Sequence, residues 1–513
     1  MKYLISLQKA ISKLSATALF LALANLGTAY PQQAKPLTID VHAHIFNGED
    51  VPLDGFIEEI ALHISDGNPA KKTLKLLVKP LTAHIKLWAD GHRQENKKLN
   101  KLLTKGEHPI PAPLTIKSKN PTKDYDITPQ SKKVAKDFAT TLETKKVPGK
   151  TKQKTKKYRA SPGDLLKSAS WARRFTAPRL TNMNKILKTH GKKGKVDIFV
   201  TALVDLDYWL KGKTKTHIED QILINSKLAI ISKGRILPFV GFDPYRNVVE
   251  KGKALELVKA AILEYGFVGV KLYPPMGFKA LGNKTSDYAA IKKNAIWRKP
   301  HWGVPPLSDA ELATGIEKSL NQLYAWAQAN EVPIMAHANN SNYSRTAFKE
   351  YASPDSWQAV LTKYPRLKVN LGHFGGIDSF TGNKKKWAQK IITMMNTHPN
   401  LYADIGNFKL RKSDGFFTYL EELKSQISKN PQLGQRLMYG SDWFMNAART
   451  YSSSYPVKLK KALKHKGVSK AFANRFMGMN ATGFLGLKNG KTRSRLNAFY
   501  KKYKVDAQWI KRL

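Results

Sequence analysis

The chain has 513 residues, 42% of them hydrophobic, which excludes a wholly disordered protein and leaves room for one large domain with insertions or two to three ordinary ones. It has no cysteine, so disulfides, thiolate ligands and cysteine nucleophiles are excluded together, and a transition metal has to be held by imidazole, carboxylate or a modified lysine. The 87 Lys and Arg against 38 Asp and Glu give a formal charge of +49, a field that draws in anionic small molecules or acidic surfaces at low salt without naming a partner.

Residues 1–29 read as a signal peptide. Lys2, Lys9 and Lys13 precede an apolar run over 14–26, and Gly27, Thr28 and Ala29 offer small residues for cleavage after Ala29. The run is shorter than the roughly 20 residues a bilayer span needs, so the expectation is an exported protein, periplasmic or secreted, with no transmembrane domain after signal removal.

An apolar strand is predicted at 37–41. A lysine-rich insertion over 50–190 follows, with helices predicted at 56–65 and 72–88. Residues 71–160 hold 24 Lys or Arg against 7 Asp or Glu. The tract 117–157 has few apolar residues and several prolines, so part of it reads as a mobile, solvated insertion. Its dense run of Lys145, Lys146, Lys150, Lys152, Lys154, Lys156, Lys157 and Arg159 could contact anionic surfaces. Tyr158 alone is thin support for base stacking, which argues against nucleic acid as a specific target.

From residue 195 the chain alternates. Strands are predicted near 197–204, 236–241, 268–272, 332–336, 367–371, 401–404 and 436–439, and helices at 217–232, 247–265, 309–330, 357–363, 384–397 and 415–428. With 37–41 this makes eight strand positions, the pattern of an α/β protein built as a (β/α)8 TIM barrel over 36–487, with the basic insertion after its first strand and a C-terminal extension at 488–513. An open doubly wound sheet satisfies the same periodicity, but it does not by itself bring the ends of the first, fifth and eighth strands to one point. The connection 279–310 follows the fourth strand, where Tyr288, Trp297 and Trp302 either form a hydrophobic lid or pack the excursion itself. An apolar outer helix face leaves a homo-oligomer open.

Polar residues end these apolar segments: His42 and His44 after the first, then Lys271, His337, His373 and Asp442. Two histidines one residue apart on an extended strand share a face and can reach one ion. Each also has a plain structural alternative: Lys271 as the partner of a buried carboxylate, His373 as a hydrogen-bonding core residue, Asp442 as a helix N-cap. Gly375-Gly376 lacks the helix context of a nucleotide-binding loop, and Ser441 lacks a nucleophile elbow.

The segments Ile39-Asp-Val-His-Ala-His44, Pro238-Phe-Val-Gly-Phe-Asp-Pro244, Gly269-Val-Lys-Leu-Tyr-Pro274, Leu371-Gly-His-Phe-Gly-Gly376, Tyr439-Gly-Ser-Asp-Trp443 and Phe476-Met-Gly-Met-Asn-Ala481, with the strand ending at His337, carry a resemblance. The sequence resembles the metal-dependent amidohydrolase superfamily, in particular its amidohydrolase-related branch that includes aminocarboxymuconate-semialdehyde decarboxylase-like proteins. The resemblance covers residues 36–46 and about 195–487, and does not account for the insertion.

The resemblance implies that His42, His44, His337 and Asp442 hold one divalent ion, with zinc the expected metal. It implies catalytic roles for Asp442, His373 and Lys271, and a second ion, if one binds, on Lys271 and His373, with Lys271 carboxylated. Asn339, Tyr273, Trp297, Trp302 and Trp443 are the expected substrate contacts. The implied activity is hydrolysis of an ester, lactone or amide bond in a small, anionic or neutral substrate. Nonoxidative decarboxylation of an aromatic or unsaturated acid is the alternative on the same residues. An exported polyanion-binding protein with an inactive barrel is the alternative outside enzymes.

Overall fold

The computed structural model describes residues 35–61, 72–89, 91–116, 128–143, 162–289, 307–376, 387–410, 416–449 and 451–513. The predicted signal peptide, the basic run at 145–159, and Trp297 and Trp302 lie outside the described residues.

Eight short parallel strands form a closed barrel: β1 (Ile39–Ala43), β2 (Ile198–Ala202), β3 (Ile236–Gly241), β4 (Gly269–Leu272), β5 (Ile334–His337), β6 (Val369–Gly372), β7 (Leu401–Asp404) and β8 (Leu437–Met438), in sequential order. Each pairs in parallel with the next. Closure between β8 and β1 comes from the Val41 N–H donating to the Tyr439 carbonyl at 3.0 Å and a parallel bridge between Ala43 and Trp443. Strands covered on both faces need near-continuous apolar sequence, which is why these short runs were readable. Gly269 has no side chain because the ring of Phe239 occupies that space, 2.3 Å from where a Cβ would stand.

The insertion between β1 and β2 is helical: α1 (Lys72–Trp88), α2 (His92–Lys105), α3 (Pro129–Glu143), α4 (Pro162–Thr176) and α5 (Arg179–Ile186). Within the tract 117–157, expected to be solvated in part, α3 is packed. That helix buries Ala135 and Phe138 and packs on α1, with the Phe138 ring 6.0 Å from that of His84. Two apolar residues three positions apart give a helix one buried stripe even in lysine-rich sequence. The helix predicted at 56–65 is a single wide turn over Phe56–Ala61 in the described residues.

Arg179 fixes the insertion to the barrel. It is fully buried, and its guanidinium donates to Asp50 at 2.9 Å, Glu95 at 2.8 Å and Thr216 at 2.9 Å, joining α5, α2 and the segments after β1 and β2. A planar five-donor fork can satisfy several acceptors at once, which a lysine cannot. On the other side of α2, α6 (Ile218–Ile231) presents Lys227, whose ammonium donates to Asn96 at 2.5 Å and Asn100 at 2.7 Å.

The helix predicted at 247–265 is divided into α7 (Pro244–Val249) and α8 (Lys253–Glu264). Lys251 and Gly252 between them adopt φ +53° and +93°, which ends the first helix before the second begins. The outer layer continues with α9 (Asp309–Ala329), α10 (Asp355–Lys363), α11 (Trp387–Thr397) and α12 (Phe416–Lys429). At the start of α9, Ser308 accepts from the Glu311 N–H and Glu311 from the Ser308 N–H, a reciprocal cap.

The C-terminal extension, with α13 (Lys491–Lys502), covers the N-terminal end of the barrel. There Trp509 donates to the Gly234 carbonyl at 2.9 Å and Arg512 pairs with Asp197 at 2.6 Å, just before β3 and β2. Among the described residues no helix is long and apolar enough to cross a membrane.

Candidate metal centre

The polar strand ends converge at the C-terminal face of the barrel, where alternation along each strand turns every second side chain inward. His42, His44, Lys271, Tyr273, His337, His373 and Asp442 all line one narrow cleft with Asn342. All but Tyr273 and Asn342 are at most 5% exposed. Within this group His42, His44 and Asp442 form a candidate divalent-metal cluster, each offering one ligand atom within 4.8 Å of the others. The Asp442 carboxylate lies 3.2 Å from His44 Nε2 and 3.9 Å from His42 Nε2.

Local backbone contacts put these groups there. Asp40, two residues before His42 on the same face, accepts from the Ser441 N–H at 2.9 Å, and the Asp442 N–H donates to the His42 carbonyl at 2.7 Å. These two bonds lock the ends of β1 and β8 together. Gly406 and Gly440 make the space for His42: a Cβ at Gly406 would lie 2.8 Å from the ring Nδ1, and one at Gly440 2.8 Å from the His42 Cβ. His373 and Asp442 sit at φ +70° and +53°, uncommon for residues with side chains and a cost of roughly 1–2 kcal/mol each that packing has to offset.

The imidazole orientations follow from their partners. A backbone carbonyl or an ionised carboxylate only accepts, so the ring nitrogen facing it carries the proton and the other nitrogen presents a lone pair. His42 Nδ1 faces Asp404 at 3.0 Å, His44 Nδ1 the Ala202 carbonyl at 2.8 Å, His373 Nδ1 the Gly406 carbonyl at 2.9 Å, and His337 Nε2 the Asn339 carbonyl at 3.1 Å. The free nitrogens are thus His42 Nε2, His44 Nε2, His373 Nε2 and His337 Nδ1. The last two lie 3.1 Å apart. Lys271 Nζ comes within 3.3 Å of His42 Nε2.

Ionisation accords with this. Burial drives the His337 imidazolium well below its ordinary pKa, with the cationic forms of His373, Lys271 and His42 adding to the effect. Burial, then His42, lowers His373 to about 4. Both rings are therefore neutral at pH 7 and no proton bridges them. Burial also lowers Lys271 to about 8, against the opposing pull of Asp404 and Asp442, so it is mostly an ammonium at neutral pH. Burial alone would raise Asp442, but the neighbouring His44, His42 and His373 rings hold it below the ordinary carboxylate value. Neutral imidazole nitrogens and a carboxylate aimed at one small space form a donor set that fits a divalent cation.

Asp404 is the residue of this centre that strand reading passed over. It ends β7 as His337 ends β5, the same signal, and it accepts from His42, from Asn370 at 2.7 Å and from the Gly406 N–H at 2.7 Å. Burial would raise its pKa, but the His42 imidazole outweighs that and holds it ionised far below the usual range. A carboxylate behind a ligating histidine fixes ring orientation and strengthens the donor.

The expected substrate contacts separate. Tyr273 lines the cleft, its ring stacked on His337 at 4.7 Å and its hydroxyl accepting from Asn342 at 3.0 Å. Asn339 does not line it: its amide turns to Ser341 at 3.2 Å, while its carbonyl sets the His337 tautomer. Asn342, three residues on, occupies the cleft instead. Trp443 is 1% exposed and packs under the Arg174 guanidinium at 5.2 Å, outside the cleft lining. Tyr288 is buried and packs its own excursion, its hydroxyl bonded to Asn283 at 3.2 Å.

The chain is similar to several solved structures. A TIM-barrel protein from Bordetella bronchiseptica is 14% identical, over 63% of this chain and 85% of that one, with a TM-score of 0.38. An amidohydrolase from Burkholderia multivorans, solved with bound zinc, is 12% identical over 59% and 87%, with a TM-score of 0.37. The 5-carboxyvanillate decarboxylase of Sphingomonas paucimobilis is 10% identical over 58% and 82%, also with a TM-score of 0.37. No curated protein matches the sequence. The amidohydrolase family model matches residues 227–487, just over half of the sequence and four of the polar strand ends, Lys271, His337, His373 and Asp442. The chain therefore belongs to the amidohydrolase family.

Proposed function

We propose that this protein is a metal-dependent hydrolase that cleaves an ester, lactone or amide bond of a small substrate, with a single divalent ion, zinc the expected one, on His42, His44, His337 and Asp442. The observation that carries the reading is the convergence of unprotonated imidazole nitrogens beside the ionised Asp442. A cation on these residues supplies Lewis acidity and lowers the pKa of water toward neutrality.

The chain's own groups divide the remaining work. Asp442 is ionised and buried beside His44, placed to accept a proton from attacking water and return it to the leaving group. Lys271 brings a positive charge to the cleft and stabilises the oxyanion that forms on the carbonyl. His373, its Nδ1 proton held by the Gly406 carbonyl, turns Nε2 toward the cleft beside His337, where it adjoins the substrate. The N-terminal segment ending at Ala29 supports an exported protein that meets its substrate outside the cytoplasm.

The test is metal analysis of the purified protein, followed by a screen of esters, lactones, amides and aromatic acids before and after chelation. Hydrolysis that disappears with chelator and returns with zinc is the expected result. Metal-dependent release of CO2 from an aromatic acid, lost in Asp442→Ala and His373→Ala, would replace hydrolysis with decarboxylation. A protein with neither metal nor metal-restored turnover would end the enzymatic reading.

A further inference from the structure

The net charge of +49 points toward anionic ligands, yet the cleft at the candidate metal centre is built otherwise. Among the described residues Lys271 is its one lysine, and no arginine lines it. Beyond the polar strand ends, Tyr273 and Asn342, its lining is Phe46, Phe56, Ile60, Val204, Leu206 and Met445. Phe46, Phe56 and Ile60 are at most 2% exposed, so they form a fixed wall and not a loose fringe.

Two residues of that wall, Phe56 and Ile60, come from the insertion. All of the wall except Met445 precedes residue 227, outside the stretch that matches the family. Phe56 and Ile60 share the turn at Phe56–Ala61 that opens the insertion. Aromatic contacts hold it from behind: Phe46 meets Phe56 at 5.8 Å and Phe444 at 4.8 Å, and Phe56 meets Phe175 of α4 at 5.5 Å. The insertion thus reaches the reacting site through rings. Apart from the four histidines and Asp442, the polar part of the cleft is Lys271, Tyr273 and Asn342.

We propose that this wall is the specificity determinant: it selects a neutral or singly charged substrate whose group beside the scissile bond is alkyl or aryl, with the polar end at Lys271 and Asn342. The proposal rests on the hydrolase reading for the bond that is cut, and on the wall alone for the group that is chosen. A hydrocarbon group gains by leaving water against Phe56 and Ile60, whereas a second carboxylate there would be desolvated without a partner.

The experiment measures binding of product-like acids to the zinc-loaded full-length protein by calorimetry, with turnover of the matching ethyl esters read separately. In the series acetate, butyrate, hexanoate and phenylacetate, affinity is expected to rise about threefold to fourfold per methylene, with adipate weaker than hexanoate. Phe56→Ala and, independently, Ile60→Ala should each lower the hexanoate-to-acetate affinity ratio about fivefold to tenfold, and Phe56→Leu should restore part of it. A flat series, or adipate binding more tightly than hexanoate, overturns the proposal even if both variants fail to fold, because it is read on the unaltered protein. A rising series without hydrolysis of any ester, lactone or amide keeps the wall as the selector and removes the hydrolytic reading instead.

Discussion

His337 Nδ1 and His373 Nε2 face each other at 3.1 Å while each ring's other nitrogen donates to a backbone carbonyl, so two lone pairs point into the same space. An ion held by His337 would draw one of these lone pairs away and relieve the repulsion between them. Zinc is therefore expected to bind at one equivalent and to raise the unfolding temperature by several degrees, since an ion at a hundred times its dissociation constant adds about 2.7 kcal/mol. Thermal unfolding with and without zinc after chelator treatment measures this, and unchanged melting curves would reject it. His337→Ala should weaken zinc binding and shrink the shift.

Asp404 stands behind His42, and its charge keeps the Nδ1 proton in place and the Nε2 lone pair aimed at the cleft. Asp404→Asn keeps the size of the side chain but removes that charge. Zinc affinity should fall by about tenfold to a hundredfold, as for other outer carboxylates of metal-bound histidines. Competition against a chromogenic chelator reads the change directly, and an affinity equal to that of the unaltered protein would show that Asp404 only fills space.

The barrel was legible because each buried strand is an apolar run of about five residues broken by polar turns, and the ends of those runs named His42, His337, His373 and Asp442 without further help. Asp404 gave the same signal at the end of β7, but a lone aspartate following Leu-Tyr-Ala resembles any strand-ending carboxylate. Ring orientation was not legible, since it is set by the carbonyls of Ala202, Asn339 and Gly406, and every residue has a carbonyl. The apolar wall was hidden for another reason. Phe56 reaches the cleft because the insertion docks, and that docking depends on Arg179 meeting Asp50 across 129 positions of sequence. No local periodicity encodes a contact of that range.

Arg179 itself is the strongest test of that docking. Removing a guanidinium buried between two carboxylates leaves Asp50 and Glu95 without compensation, so Arg179→Met should destabilise the protein by about 3–5 kcal/mol. Arg179→Lys should recover only part of this, because an ammonium cannot serve Asp50, Glu95 and Thr216 with the planar fork. Urea unfolding gives both values, and limited proteolysis should cut the insertion before the barrel. Full recovery of stability by Arg179→Lys would contradict the role assigned to the fork.

Lys227 gives the insertion's contact with α6 a pH dependence. Burial lowers its pKa from 10.5 to about 8, with Asp220 opposing, while its ammonium reaches Asn96 and Asn100 on α2. Below about pH 8 the folded and unfolded chains both hold this proton, and the cost of burying the charge is fully present. Between about pH 8 and 10.5 the folded chain has released it and the unfolded chain has not, so this group makes stability rise with pH. The slope approaches about 1.4 kcal/mol per pH unit for one proton. Lys227→Met removes the titration, and the two asparagines at the partly exposed edge of α2 can turn to water. The variant should be the more stable protein at pH 7, and its advantage should shrink steadily from pH 8 to pH 10. Because every other group titrates in both proteins, the difference between their urea midpoints isolates this lysine. An advantage that stays constant over that range would mean that Lys227 keeps its proton in the folded protein, and that its two asparagine bonds outweigh the burial.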